Sequence, residues 1–254
     1  MYDGDVPKKF LLAANWKMYS APENLDAYKP RKDVDVVVFP TFLDIPKCLK
    51  AGLTIGAQYG HPEDQGAHTG DTAMKMIKGS GCTYVLCGHS ERRKDHGESN
   101  EFVAAQVLSA LKNNLHPILC IGETWEEKKA GKSKEIVKAQ LEAVLSSVPA
   151  PTPALTLTIA YEPVWAISGG DASKPAASAA EAEEMHSFIR KLLTTHYSLL
   201  TPKILYGGSM KPENAEELLK QPNIDGGLVG GASLDPEKFR KIVEIAERTN
   251  DQRS

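Results

Sequence analysis

The feature that most limits what this chain can become is an alternation of strand-like and helix-like runs repeated eight times. The strand-like runs are Phe10–Asn15, Asp33–Phe39, Leu53–Ala57, Tyr84–Cys87, Pro117–Ile121, Leu155–Ala160, Lys203–Tyr206 and Asp225–Val229. Each is short, apolar or alternating, and bounded by turn-forming residues, as strands are. Between them the helical period is best developed at Asn100–Leu115, Ser133–Leu145, Ala176–Thr195 and Asp235–Glu247, with shorter helices expected near Pro22–Tyr28 and Leu43–Leu49. A helix between successive strands makes the strands parallel, and eight such units close a sheet on itself. The expected class is therefore α/β, a (β/α)8 barrel. An open doubly wound sheet is the alternative, but no glycine-rich nucleotide fingerprint follows the first strand. Pro149-Ala-Pro-Thr-Pro153 is too short to divide domains and reads as a stiff connection, so one domain is expected over residues 1–254.

Composition excludes several classes of function. With 254 residues and 41% hydrophobic residues the chain has enough apolar side chain for a full core. A formal net charge of −3 gives no bulk attraction to nucleic acid or an anionic membrane, so an anionic ligand has to be held by local groups. Met1-Tyr-Asp-Gly-Asp5 has neither the basic nor the apolar part of a secretory signal, and no apolar run approaches the roughly 20 residues of a membrane span. Cys48, Cys82, Cys87 and Cys120 fall at no metal-ligand spacing. Reduced thiols in a cytoplasmic protein are the simple reading.

In a parallel barrel, chemistry collects at the C-terminal ends of the strands. The sixth strand-like run leads into Tyr161-Glu162-Pro163-Val164-Trp165, a carboxylate at a strand end followed by a stiffening proline and a bulky anchor. Ala166-Ile167-Ser168-Gly169-Gly170 then has the small residues of a moving lid. Alone, such a glutamate is usually a solvated charge. The first run ends Asn15-Trp16-Lys17, where Asn15 and Lys17 share a direction with Leu11 and Ala13. A lysine there is ready for phosphate or a developing oxyanion, although an exposed rim lysine is the bland alternative. The fourth ends Cys87-Gly88-His89, and alternation from Val85 and Cys87 is expected to turn His89 to the barrel mouth, at the start of a short helix over Ser90–Lys94. A histidine satisfied by local backbone is the competing reading. The seventh and eighth end in Gly207-Gly208-Ser209 and Gly230-Gly231. Glycines let backbone N–H groups approach an anion, and barrel phosphate sites often follow these two strands.

Taken together, Asn15-Trp-Lys17, Gly88-His-Ser-Glu-Arg-Arg93, Tyr161-Glu-Pro-Val-Trp165, Tyr206-Gly-Gly-Ser209 and Leu228-Val-Gly-Gly-Ala-Ser233 resemble the triosephosphate isomerase family. The resemblance runs nearly the length of the chain, with Gly56-Ala-Gln58, Gly66-Ala67, Thr69-Gly70, Gly97-Glu-Ser99 and Cys120-Ile-Gly-Glu123 in family order. It implies a TIM barrel that interconverts dihydroxyacetone phosphate and D-glyceraldehyde 3-phosphate through an enediolate. It further implies Glu162 as base, His89 as electrophile, Lys17 as the stabilising charge oriented with Asn15, and Glu91 as support beside His89. Ser168, Ser209, Gly230 and Gly231, with Lys17, are implied to grip phosphate, under a lid of residues Pro163, Val164, Trp165, Ala166, Ile167, Ser168, Gly169 and Gly170. No metal or organic cofactor is implied. Family members pair as homodimers, which implies that the loop tip at His68 and Thr69 projects into a neighbouring subunit. This chain departs from the family where the lid reads Ser168-Gly169-Gly170-Asp171, at His68, Tyr59 and Cys87, and in shorter segments around the first two helices.

Overall fold

Eight strands close into a parallel barrel in the computed structural model of the chain, which describes residues 9–148, 157–167, 176–196 and 202–252. The strands are β1 (Phe10–Asn15), β2 (Val34–Phe39), β3 (Gly56–Ala57), β4 (Tyr84–Cys87), β5 (His116–Ile121), β6 (Thr158–Tyr161), β7 (Ile204–Tyr206) and β8 (Gly226–Val229). Their order is β2-β1-β8-β7-β6-β5-β4-β3. A parallel bridge between Val38 and Ile55, with the Val38 N–H donating to the Thr54 carbonyl at 3.0 Å, joins the two ends of that series. The expected β3 is longer than the observed one because Leu53 and Ile55 are buried like strand residues, while Leu53–Ile55 makes only this single bridge to β2.

Alternation along the strands produces two cores. Leu11, Ala13, Val37, Phe39, Leu86, Ile118, Cys120, Ala160, Leu205 and Leu228 fill the barrel. Their neighbours in sequence, such as Leu12, Val38, Val85, Ile159 and Ile204, face the helix layer. Burying each Leu, Ile, Val or Phe side chain among them contributes about 1.5–3 kcal/mol.

The helices are α1 (Ile45–Lys50), α2 (Met74–Gly79), α3 (Ser90–His96), α4 (Asn100–Lys112), α5 (Trp125–Lys129), α6 (Ser133–Leu145), α7 (Ala179–His196), α8 (Pro212–Leu219) and α9 (Pro236–Asp251). The four with strong periodicity in the sequence are α4, α6, α7 and α9. In α9 the buried positions Phe239, Ile242, Val243 and Ala246 make one stripe, and Asp235 caps the start by accepting the N–H groups of Glu237 and Lys238. The helix expected near Pro22–Tyr28 is instead one 3-10 turn over Leu25–Tyr28. Tertiary contacts hold that turn: the Tyr28 hydroxyl donates to the Ser233 carbonyl at 2.7 Å, and its ring stacks on Phe239. The helix expected over Leu43–Leu49 starts later, at Ile45, after a 3-10 turn that leaves Leu43 91% exposed. Helices α2, α5 and α8 were not anticipated, since a helix of five to eight residues shows barely two turns of its period.

Candidate active site

The ends of β1, β4 and β6 bring Asn15, Lys17, His89, Glu91 and Glu162 together. Ala160 points into the barrel, so Glu162 follows it on the same face and leaves the strand at the rim, only 2% exposed. A Cβ on Gly122, at the end of β5, would lie 1.7 Å from the Glu162 carbonyl oxygen, so glycine there is what lets β6 carry the carboxylate past β5.

His89 reaches this place by a different route from the one expected. Val85 and Cys87 face the helix layer and Leu86 faces the barrel, so plain alternation would turn His89 away from the mouth. Gly88 breaks the alternation with φ +72°, a left-handed conformation that glycine adopts without a Cβ penalty. The imidazole then caps α3: its Nδ1 accepts the Glu91 N–H at 3.3 Å. An acceptor Nδ1 leaves the ring proton on Nε2. That Nε2 stands 3.1 Å from Glu162 Oε1, and the Asn15 Nδ2 group lies 3.3 Å from the same nitrogen. The Asn15 Oδ1 is already taken by the Lys17 N–H at 3.0 Å.

Lys17 has φ +51°, and the Gln58 side chain holds this backbone by donating to the Lys17 carbonyl at 2.7 Å and the Phe39 carbonyl at 2.8 Å. Lys17 Nζ meets Glu91 Oε1 at 2.6 Å. Its far side lies over Gly230, where a Cβ would come within 3.7 Å of Nζ. An ammonium thus bridges the His89 side of the mouth and the glycines after β8. Gly231 opens a 3-10 turn over Gly231–Leu234, and nothing lies within 4 Å of where its Cβ would be. Ser209, just after β7, donates its N–H to the Ala166 carbonyl at 3.4 Å, tying the β7 end to the lid stem.

Of the lid, Pro163, Val164, Trp165, Ala166 and Ile167 belong to the described residues, with a 3-10 turn over Val164–Ala166. Ser168, Gly169, Gly170 and Asp171 lie outside them. His68 and Thr69 sit on the loop between β3 and α2, and His68 contacts His61 and Glu63 rather than the group around Glu162.

A sequence model described as triosephosphate isomerase matches residues 10–246. The chain belongs to the triosephosphate isomerase family. It is 42% identical to the triosephosphate isomerase of Hydrogenovibrio crunogenus, over 94% of this chain and 98% of that protein. The triosephosphate isomerase of Chloroflexus aurantiacus is 41% identical, over 92% and 97% of the two chains, and that of Coxiella burnetii 39%, over 93% and 97%.

Several residues of this candidate site have no role assigned from the sequence. Ser90 donates its N–H to Glu162 Oε2 at 3.0 Å and its hydroxyl to Oε1 at 3.3 Å. Glu123, after β5, is 1% exposed and accepts the Tyr161 hydroxyl at 3.1 Å and the Trp165 Nε1–H at 2.9 Å. Burial, reinforced by that carboxylate, pushes the Tyr161 phenol well above its ordinary range. Lys128 lies 3.2 Å over the Trp165 ring and pairs with Glu181 at 2.9 Å. Arg93 donates to the Gly88 carbonyl and to Asn100, each at 2.8 Å, which fixes the turn that aims His89. Ser90, Glu123 and Arg93 all lie within the motifs that carry the family resemblance. Motif membership was thus a signal, although it named no partner.

Proposed function

We propose that this chain interconverts dihydroxyacetone phosphate and D-glyceraldehyde 3-phosphate, the aldose–ketose isomerisation named by its family, with Glu162 as the base. The observation that carries the assignment of roles is the 3.1 Å approach of His89 Nε2 to the buried carboxylate of Glu162. A proton donor and a proton acceptor side by side suit removal of a proton beside a carbonyl. Glu162 takes the proton from the carbon next to the carbonyl, and the electron pair moves onto the carbonyl oxygen as an enediolate forms. The Nε2–H of His89 hydrogen-bonds that oxygen, and the Lys17 ammonium offsets the growing negative charge. Returning the proton to the neighbouring carbon, with a matching proton exchange between the two oxygens, completes the isomerisation without net oxidation. These steps use only side chains and backbone groups.

The phosphate is assigned to Lys17, Ser209 and the backbone at Gly230 and Gly231, with Ser168 joining them by the family resemblance. Lid closure over the reacting carbon would exclude water from the enediolate. Trp165, held by Glu123 and Lys128, supports the reading of residues 163–167 as the fixed stem of that lid.

We read residues 1–254 as one domain, located in the cytoplasm; no helix among the described residues is long and apolar enough to cross a membrane. A homodimer is supported by Met18 and Leu43, 92% and 91% exposed on the segments after β1 and β2, with Tyr19 exposed beside Met18. Large apolar side chains grouped on one rim are what a second copy covers. A coupled assay on the purified chain with D-glyceraldehyde 3-phosphate tests the reaction. Conversion to dihydroxyacetone phosphate far above the uncatalysed rate is expected. A folded protein with no conversion above background overturns the assignment.

A further inference from the structure

The stretch after β5 holds Trp165 at its edge and at its face. Glu123 accepts the indole N–H at 2.9 Å, and Lys128 Nζ, on α5, stands 3.2 Å from the centre of the ring. The mount is rigid. Thr124 and Glu127 form a reciprocal cap at the start of α5. Beyond its end the Gly131 N–H donates to the Lys128 carbonyl at 2.9 Å and the Lys132 N–H to the Glu127 carbonyl at 3.0 Å. Trp125, one turn before Lys128 on the same face of α5, brings its ring to 6.2 Å from that of Trp165.

Lys128 also reaches a second element. Its Nζ donates to Glu181 Oε1 at 2.9 Å, across 53 residues of sequence. The other oxygen of Glu181 accepts the Ser178 N–H at 3.0 Å and the Ser178 hydroxyl at 2.9 Å, while Ser178 Oγ accepts the Glu181 N–H at 3.2 Å. That reciprocal cap starts α7. The bond from Lys128 and then those from Ser178 hold the Glu181 carboxyl down to about 2, so it is charged at neutral pH. An exposed ion pair alone contributes little. Here the ammonium is 29% exposed and shared between an aromatic face and a carboxylate, each fixed by a further group. One cation thus joins the chain that leaves the mouth after Glu162 to the chain that enters α7.

Resting on the isomerisation assigned above, we propose that Lys128 is a positioning residue for it, which holds the segment carrying Glu162 in place by tying Trp165 to the start of α7. The restraint reaches the base through a short, pinned path. The Val164 N–H donates to the Glu123 carbonyl at 3.1 Å, and the Ala166 carbonyl accepts the Ser209 N–H at 3.4 Å. Pro163, its φ fixed near −64° by the ring, links this turn to Glu162. Loss of the cation frees the face of Trp165 and unties the turn from α7, and small shifts of a base are costly in rate. Lys128 itself touches neither the base nor the groups assigned to phosphate, so its effect falls on turnover.

Two variants of the full chain test this: Lys128→Met, which removes the charge and keeps most of the length, and Lys128→Arg, which can still stack on the indole and pair with the carboxylate. In Lys128→Met, kcat for D-glyceraldehyde 3-phosphate should fall by about three- to tenfold, with KM and inhibition by inorganic phosphate unchanged. Lys128→Arg should keep most of the parental kcat. Trp16 is fully buried, so in a Trp125→Phe background acrylamide quenching of fluorescence reports on Trp165. Lys128→Met should raise that quenching, and Lys128→Arg should not. An inactive parent overturns the isomerase reading and the positioning role with it. With an active parent, parental kcat in Lys128→Met, a loss carried by KM, an equal loss in Lys128→Arg, or unchanged quenching overturns this proposal alone.

Discussion

Ser90 and Glu162 lie 72 residues apart in sequence, yet Ser90 grips both oxygens of the Glu162 carboxylate, by its N–H at 3.0 Å and its hydroxyl at 3.3 Å. With His89 on the same oxygen as the Ser90 hydroxyl, the base is held on the α3 side of the mouth. Small misplacements of a reacting group are costly in rate. Ser90→Ala is expected to lower kcat by about tenfold with the fold intact, and Ser90→Thr, which keeps a hydroxyl, to lose less. Steady-state kinetics on the two variants checks this, and equal losses in both contradict it.

The Lys17 ammonium sits between Glu91 and Gly230, where it serves both a developing oxyanion and a phosphate. Removing a preorganised group of this kind costs on the order of a hundred- to a thousandfold in rate. Lys17→Met should therefore lower kcat/KM by at least about a hundredfold. Lys17→Arg should recover little, because a planar guanidinium does not fit a point-charge site. Inhibition by inorganic phosphate, measured on both variants, should weaken in parallel; unchanged inhibition would remove Lys17 from the anion site.

The pH dependence of stability follows from His186, fully buried beside Tyr161 and Tyr206. Burial lowers its pKa to about 4, against the Asn223 carbonyl and Asp225, which favour the charged form, while Arg190 opposes it. The unfolded chain, with a histidine near 6.5, binds the proton first. Stability from the neutral ring is complete above about pH 6.5 and is lost as pH falls towards 4. Between pH 7.5 and pH 5 this amounts to about 2 kcal/mol. Denaturant unfolding at the two pH values should show a drop smaller by that amount in His186→Leu than in the parent. An equal drop in both would exclude His186 as a source.

The barrel was legible because its strands bury one face in the barrel and one under helices, so runs such as Val36–Phe39 and Ile118–Ile121 stand out as apolar. What stayed hidden depends on a single dihedral or on distant pairing. His89 comes to lie beside Glu162 through the positive φ of Gly88 and not through the strand alternation that the sequence suggests. Glu123 reads as one more acidic residue until Tyr161, at the end of β6, and Trp165, in the turn after it, 38 and 42 residues further on, are seen to donate to it. The short α2, α5 and α8 are formed by their packing and caps, such as the reciprocal Thr124–Glu127 box of α5, rather than by a long amphipathic period.

Below the site, Arg190 reaches from α7 to the Asp225 carboxylate at 2.5 Å, and that carboxylate is fully buried and also accepts the Ile204 N–H. Removing one partner of a buried pair is costly because the remaining charge loses its counter-ion. Arg190→Ala should lower unfolding stability by about 3–5 kcal/mol. Arg190→Lys should recover part of that loss, because a cation is restored without the two-armed fork that also holds the Pro202 carbonyl. Equilibrium unfolding in urea checks both, and a loss below about 1 kcal/mol in Arg190→Ala would show that the pair is not a fastener of β7 and β8.

In the proposed reaction Glu162 moves the proton. Steady-state turnover of D-glyceraldehyde 3-phosphate by Glu162→Gln, against the parent, checks this, because glutamine keeps the shape of the side chain but not its basicity. A positioned base contributes about a hundred- to ten-thousandfold, so kcat is expected to fall by at least that lower figure, with the fold unchanged by circular dichroism. Turnover near the parental rate in a folded Glu162→Gln protein would exclude Glu162 as the base.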